Sequence, residues 1–426
     1  MLEKLLLGCV ADDFTGASDA ASFLVKAGLK TILLNGIPQK KMEDDGSIQA
    51  MVIALKSRTE PVKEAVEQSI RAFEWLKQAG AEKFYFKYCS TFDSTRQGNI
   101  GPVTDAVMEY FRIPYTLLCP SLPVNGRTVK GGRLLVDGIP LHKSHMKDHP
   151  LTPMWDDSIE GLMRQQGKYP CVLAEIPMLE DQKAFSCLKQ RMEELAEEKG
   201  HAYLIPDYYQ DGHGDLIAER FGTLELFTGG SGLAGALGRH LAKRTLTGTS
   251  NRHTEKVKGK ALLLAGSCSA ITLKQIEAYK RTGKPCYRIY PQKLLSGEEG
   301  VSRIWEWIRE QKETPLIYSS APPEELRENQ KLGEENAAGK IEEALAALAV
   351  KAVEEGFARI ISAGGETSGA ITKALGCSSY LIGESVAPGV PIMTPLERPG
   401  LRLVLKSGNF GQEEFFEEAL RMTGMI

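Results

Sequence analysis

Apolar positions along the chain follow two rhythms. Short unbroken runs at residues 5–11, 30–34, 50–55, 83–88 and 115–119 have the length and composition of strands buried on both faces. Between them apolar residues recur at helical spacing: Ala17, Ala20, Ala21, Leu24 and Ala27 ahead of Gly28, then residues 61–78, then Val103, Val107 and Tyr110. Strand and helix therefore alternate, which predicts a parallel, doubly wound sheet. The alternation restarts at 260–265 and runs on through strands at 286–290, 315–319, 358–363 and 401–406. Helices are expected from Gly339, with Ile341, Leu345, Leu348, Ala349 and Ala352 on one face, and over 370–375.

Two stretches interrupt the pattern. Residues 245–259 are polar and aperiodic, which reads as a linker between domains at 1–244 and 260–426. Residues 322–339 read as an exposed excursion, and 131–153 as an irregular region with short β-like pieces. The expected class is α/β: two domains, each a largely parallel sheet flanked by helices, with the active site in the cleft between them.

The carboxyl ends of strands in such sheets are where ligands sit. The first strand stops at Asp12-Asp13, followed by Phe14-Thr15-Gly16, and a helix begins there. Asp13 or Thr15 can serve simply as the helix cap, with Asp19 an ordinary first-turn charge, but two adjacent acids at a buried strand end point equally to chemistry. Arg58, Lys87, Asp93 and Arg127 follow later strand ends, so charged groups suited to an anionic, hydroxylated small molecule converge on one edge. The Gly229-Gly230-Ser231-Gly232 turn repeats the strand-end design, and its glycines fit close helix-strand packing as well as a ligand.

The second half carries turns of another kind. Gly364-Gly365-Glu366-Thr367-Ser368 leads directly from a strand into a helix, a construction that brings main-chain N–H groups, hydroxyls and a helix dipole to an anion. Its glycine order is neither that of a Walker A loop nor that of the dinucleotide fingerprint. Gly266-Ser267-Cys268-Ser269 and Ser407-Gly408-Asn409 repeat the theme. Three such turns fit a nucleotide held by main chain and hydroxyls with few charges.

Composition narrows the remaining classes. The chain is near neutral, at a net charge of -3, which gives no footprint for nucleic acid or an anionic membrane. The eight cysteines contain no Cys-x-x-Cys pair and read as reduced thiols. No apolar run approaches the roughly 20 residues of a membrane span, and the first is too short for a signal segment, so a cytoplasmic protein is expected. His142, His145 and His149 lie among lysines without a supporting carboxylate pattern, so no metal-ligating residues are assigned.

An acidic corner opposite a phosphate cradle describes a kinase, since phosphoryl transfer needs alignment and charge neutralisation more than covalent help. A phosphohydrolase with Asp12 as nucleophile is the competing enzyme. It is disfavoured because such chemistry wants Asp-x-Asp spacing, adjacent strand residues pointing to opposite faces. A sugar-acid sensor without turnover is the non-enzymatic alternative.

The chain resembles the four-carbon acid sugar kinases. The phrases that carry the likeness are Ala11-Asp12-Asp13-Phe14-Thr15-Gly16-Ala17, the stretch from Lys87 through Thr95 with Gly98-Asn99-Ile100-Gly101, Gly229 to Ala234, Gly266 to Ser269, Gly364 to Gly369, and Ser407 to Gly411. They run in order over nearly the whole length. Residues 89–95, 123–128 and 149–154 look most like the 3-oxo-tetronate branch, while the lysines and histidines of 130–145 depart from the family pattern. The resemblance implies an acid-sugar-binding domain at 1–244 and a nucleotide-binding domain at 260–426. It implies ATP and Mg2+ as cofactors, transfer to the terminal C4 hydroxyl, and a phosphotransferase with an alcohol acceptor. D-threonate and D-erythronate are the alternative substrates, and a homo-oligomer is left open. Asp12 or Asp13 is the expected catalytic base, with Asp93 the alternative. Arg58, Lys87, Ser94, Asn99 and Arg127 are expected to hold the substrate, and Ser267, Ser269, Gly364, Gly365, Glu366, Thr367, Ser368 and Gly408 the nucleotide.

Overall fold

The unbroken apolar runs become strands because residues of that kind can be covered on both faces only in a parallel sheet with helices above and below. In the computed structural model the described residues are 5–39, 46–92, 95–148, 153–243, 255–321 and 334–425. The chain divides into two compact units, Met1–Asn251 and Arg252–Ile426. Asp93 and Ser94, His149, and residues 245–254 and 322–333 of the sequence expectations lie outside the described residues.

The strands of the first unit are β1 (Leu7–Ala11), β2 (Thr31–Asn35), β3 (Ala50–Ala54), β4 (Lys83–Lys87), β5 (Tyr115–Cys119), β6 (Arg127–Lys130), β7 (Arg133–Val136), β8 (Ile139–Pro140), β9 (Cys171–Ala174), β10 (Ala202–Pro206) and β11 (Leu226–Gly229). The main sheet has the order β2-β3-β1-β4-β11-β5-β10-β9, with neighbours parallel. From β1 the chain builds β2 and β3 on one side and then crosses to β4 on the other. The switch point thus falls at β1, where the acids are. The irregular region folds as the small antiparallel sheet β6-β7-β8.

Helix Phe14–Lys26 buries Ala17, Ala20, Ala21 and Leu24 completely, the face its spacing predicts. Small residues let the layers close. A Cβ on Gly8 in β1 would lie 3.0 Å from the Cβ atoms of Ala81 and Leu76, and one on Gly238 would lie 2.9 Å from that of Ala27. At the end of β11 a Cβ on Gly230 would stand 2.5 Å from the Pro120 carbonyl oxygen. The packing explanation of that glycine turn therefore holds, and it presses Ser231 against the first helix.

The second unit adds β12 (Ala261–Ala265), β13 (Cys286–Arg288), β14 (Leu316–Tyr318), β15 (Arg359–Ala363), β16 (Ser379–Ala387), β17 (Val390–Pro395) and β18 (Arg402–Lys406). Their order is β13-β14-β12-β15-β18-β17-β16. The first five strands are parallel, while β17 runs antiparallel to both β18 and β16. Strand-helix alternation does not announce this terminal hairpin, which turns through Gly389 at φ 79°. A core of Leu263, Ile276, Tyr279, Ile361, Val404, Phe415 and Phe416 lies beneath the sheet. The long helix spans Glu334–Glu354, so it begins ahead of Gly339, where the apolar spacing alone would start it.

Because the Gly230 clash is with main chain rather than a flexible side chain, Gly230→Ala is expected to lower unfolding stability by about 1–3 kcal/mol. A urea denaturation midpoint equal to wild type would show that the turn relaxes instead.

Candidate active site

Both acids after β1 turn toward a single cation. Asp12 takes two bonds from Arg58, Nε to Oδ2 at 2.9 Å and Nη2 to Oδ1 at 2.8 Å, and Asp13 Oδ2 lies 3.0 Å from Arg58 Nη1. The expectation that adjacent acids face opposite ways is corrected here: β1 ends at Ala11, so strand alternation has stopped before either carboxylate. The main chain joins the same ends. Arg58 N–H donates to Asp12 O at 3.2 Å, and Asp12 N–H to Lys87 O at 3.0 Å.

The two acids then part in environment. Asp12 has a side chain only 5% exposed, with both oxygens committed to Arg58, and burial pushes its carboxyl upward against that cation. Asp13 is 29% exposed. It caps the following helix by accepting the Gly16 N–H at 2.6 Å, and it accepts the Thr15 hydroxyl at 3.1 Å. Burial acts upward on it too, but Arg58, Lys87, the Gly16 N–H and Thr15 outweigh this and hold it below the usual carboxylate range. Capping and chemistry are thus not alternatives at Asp13. Both Asp12 oxygens are turned onto Arg58, so that cation sets the direction of the carboxylate.

Of the other expected residues, Lys87 is buried, with Nζ donating to Tyr88 O at 2.9 Å. The same Nζ would stand 3.3 Å from a Cβ on Gly16, so it lies beneath the first turn of the acid-capped helix. Asn99 divides its amide between two surroundings, its buried Oδ1 having no partner among the described residues. Its Nδ2 reaches the carbonyls of Ser57 at 2.6 Å and Glu60 at 2.8 Å, fixing the turn that carries Arg58. Arg58 itself is engaged by the two acids rather than left for a substrate carboxylate. Arg127 folds back onto the Asn125 carbonyl beside the small sheet. Asp93 and Ser94 lie outside the described residues.

Asp19 belongs to this cluster although it reads in the sequence as ordinary helix charge. It is buried, burial raises its carboxyl, Ser231 Oγ donates to Oδ2, and Oδ1 has no partner. The missed signal is its spacing: Asp19 sits among Ala17, Ala20 and Ala21 on the apolar face of its helix.

The second cluster lies at the carboxyl ends of three adjacent strands, β12, β15 and β18. Gly364, at φ 136°, precedes helix Gly365–Leu375, donates its N–H to Lys406 O at 2.9 Å and would crowd Ser267 N if it bore a Cβ. A Cβ on Gly365 or Gly369 meets nothing within 4 Å, and the first N–H groups of a helix have no partner within it, which is what suits a helix start to an anion. Gly408 has no room for a Cβ against Ser267 and Ser269. Ser269 caps the helix at Ala270–Arg281 and donates to Gly408 O at 2.6 Å, while Ser267 Oγ accepts the Ser269 N–H at 3.2 Å. The cradle therefore closes around Ser267, Ser269, Gly364, Gly365 and Gly408. Ser368 is turned away, its hydroxyl 3.1 Å from Ser362 and its N–H bonded to Gly364 O. Thr367 is likewise buried. Glu366 is exposed at the cradle's first turn, close enough to Glu342 to raise the latter's pKa together with burial. Hard carboxylate oxygens beside a phosphate cradle suit a magnesium ion.

Residues 7–237 match a family described as "Sugar-binding N-terminal domain", and residues 262–416 one described as "Nucleotide-binding C-terminal domain". The chain is similar to a 3-oxo-tetronate kinase of Haemophilus influenzae, 41% identical over 98% of this chain and 100% of the relative. It is also similar to a 3-oxo-tetronate kinase of Pectobacterium atrosepticum, 42% identical over 97% and 98%. The chain belongs to the four-carbon acid sugar kinase family. It is an enzyme, a phosphotransferase with a hydroxyl group as acceptor. Two solved structures share its fold. One is a Haemophilus influenzae protein, with TM-score 0.82 and 40% identity, and the other a Salmonella typhimurium protein, with TM-score 0.89 and 38% identity. Each comparison covers 98% of this chain and 100% of the other. No helix among the described residues of this kinase is long and apolar enough to cross a membrane.

Two outcomes test the acidic corner. Arg58→Met strands Asp12 in a buried site and is expected to cost about 3 kcal/mol, the lower end for breaking a buried pair, with part recovered in the double variant carrying Asp12→Asn; additive losses in denaturant titrations would refute the coupling. Asp13 has a depressed folded pKa, so its contribution is full above the unfolded value of about 3.9 and disappears as pH falls through the folded one. Wild type and Asp13→Asn should therefore differ in stability at pH 7 and converge in acid, and a pH-independent gap would contradict the assignment.

Proposed function

We propose that this kinase transfers the γ-phosphoryl group of ATP to the C4 hydroxyl of 3-oxo-tetronate, giving 3-oxo-tetronate 4-phosphate and ADP. The observation that carries the reading is the split between two clusters of different chemical character: buried and half-buried carboxylates after β1 gathered on the Arg58 cation after β3, and an anion cradle at the ends of β12, β15 and β18. The relatives named 3-oxo-tetronate kinase support the choice of acceptor.

In this reading Asp13, ionised and partly exposed, accepts the proton of the C4 hydroxyl as that oxygen bonds to phosphorus and the bond to the leaving phosphate oxygen breaks. Asp12 does not touch substrate. It holds Arg58, which fixes Asp13 and offers positive charge beside it. Lys87 adds a second cation under the same helix start. The N–H groups after Gly364 and the Ser267 hydroxyl would hold phosphate oxygens, and Glu366 would hold magnesium. Mg2+ supplies neutralisation of the phosphate charge when bound.

An ADP-release assay against 3-oxo-tetronates, D-threonate and D-erythronate tests the acceptor. Turnover only with the 3-oxo acids is expected, and preference for a tetronate without the oxo group would reassign it. Asp13→Asn should lower kcat by on the order of 10²-fold or more with the ATP KM little changed, and Gly365→Val should raise the ATP KM by filling the open face of the cradle. Near-normal turnover in the first, or an unchanged KM in the second, would remove the corresponding role.

A further inference from the structure

Lys406 ends β18 directly beneath the cradle and has no surface exposure. Its ammonium donates to three neutral acceptors, Thr272 Oγ1 at 3.0 Å, Ser407 O at 3.1 Å and Gly408 O at 3.0 Å. The three protons are all used and the Phe415 ring lies 5.7 Å from Nζ, yet among the described residues no carboxylate pairs with the cation, and burial pushes it down to about 7. A buried charge without a counter-charge is costly, and an apolar side chain would fill a strand end at no such cost.

The Gly408 carbonyl gathers donors from three sides. Besides Lys406, the hydroxyls of Ser269 and Thr272 lie 2.6 and 3.0 Å from it. The peptide between Gly408 and Asn409 is trans, so its N–H points opposite to its carbonyl. Holding the carbonyl inward therefore turns the Asn409 N–H outward, at an exposed residue.

We infer that Lys406 is a positioning residue for the nucleotide's phosphates, pinning the Gly408 carbonyl inward so that the Asn409 N–H faces the bound anion, and keeping its own charge for that anion. The inference rests on the nucleotide reading of the cradle and adds to it a buried cation. The phosphates supply the counter-charge that the protein withholds, so binding and burial of Lys406 are coupled. A lysine serving only to brace the turn would stabilise the free protein instead, which is the distinction the test uses.

Wild type, Lys406→Met and Lys406→Gln are compared by thermal unfolding with and without Mg-ATP, together with steady-state kinetics. Without nucleotide both variants are expected to melt at or above the wild-type temperature. The rise that Mg-ATP gives wild type should be largely lost, and the ATP KM should increase by about tenfold or more, with the acid-sugar KM unchanged. Wild-type nucleotide stabilisation and KM in either folded variant would overturn the proposal, as would loss of nucleotide-free stability in both, which marks a structural brace. If wild type itself shows no Mg-ATP stabilisation, the nucleotide reading of the cradle fails and the role of Lys406 falls with it. If wild type and both variants respond alike, the cradle stands and Lys406 alone is rejected.

Discussion

The Arg58 guanidinium, clamped by two successive carboxylates, is the constraint from which the first cluster follows. Three strand ends meet around it: the turn after β3 supplies the cation, the turn after β1 the acids, and the end of β4 accepts the Asp12 N–H. Asn99 ties the Arg58 turn to the start of helix Ile100–Phe111 through the carbonyls of Ser57 and Glu60. A buried pair of this sort is weak as a source of net stability, because desolvation consumes most of the attraction. Its worth is positional. With Arg58 fixed, the direction of the Asp13 carboxylate is fixed, and so is the start of the helix it caps.

The two units solve the same construction problem in different chemistry. In each, a fully buried strand ends in a lysine, Lys87 in β4 and Lys406 in β18, and glycine- or serine-rich turns stand alongside at neighbouring strand ends. The lysine ammonium in both cases donates to a carbonyl of the residue that follows it. The first unit then surrounds its cation with carboxylates, and the second with hydroxyls and main chain. A cation among acids leaves a site able to accept a proton. A cation among neutral dipoles leaves a site able to accept an anion. On the proposed reading those are the acceptor and donor halves of one transfer.

Much of this was legible in residue order because parallel strands buried on both faces leave a plain apolar signature, and because a turn that presents main chain to a ligand needs glycine. The runs at 5–11 and 30–34, with helical spacing from Ala17 to Ala27 between them, and their repeats anticipate the strand ends, and with them Asp12, Asp13, Arg58 and Lys87. Pairing was not legible. Whether Arg58 meets a substrate or two acids depends on the order β3-β1-β4, a long-range fact that no local spacing encodes. Asn99 Nδ2 and the Ser368 hydroxyl illustrate the same limit, since the first serves neighbouring carbonyls and the second Ser362. Asp19 reads as ordinary helix charge, and Lys406 draws no reading at all, for a different reason. Each lies inside an apolar pattern, where a charged residue reads as the polar edge of an element unless its burial is known. The hairpin β16-β17 escaped because it replaces a helical crossover with a turn.

The opposite displacement of the two acids also bears on what kind of base the reaction needs. On the proposed reading, neighbouring carboxylates in different environments take separate roles: Asp12, driven upward by burial, anchors Arg58, while Asp13, driven downward and partly exposed, receives the proton. A base with a depressed pKa is a weak one, which would be a defect if the hydroxyl had to be deprotonated before attack. Phosphoryl transfer runs through a loose transition state in which the attacking oxygen has formed little bond to phosphorus and its proton is still largely in place. Alignment of that oxygen then matters more than basicity, and the proton leaves late, when the oxygen has become strongly acidic. A carboxylate that is permanently ionised, held in one direction by a helix N–H on one oxygen and by Arg58 on the other, meets that demand better than a stronger base free to rotate.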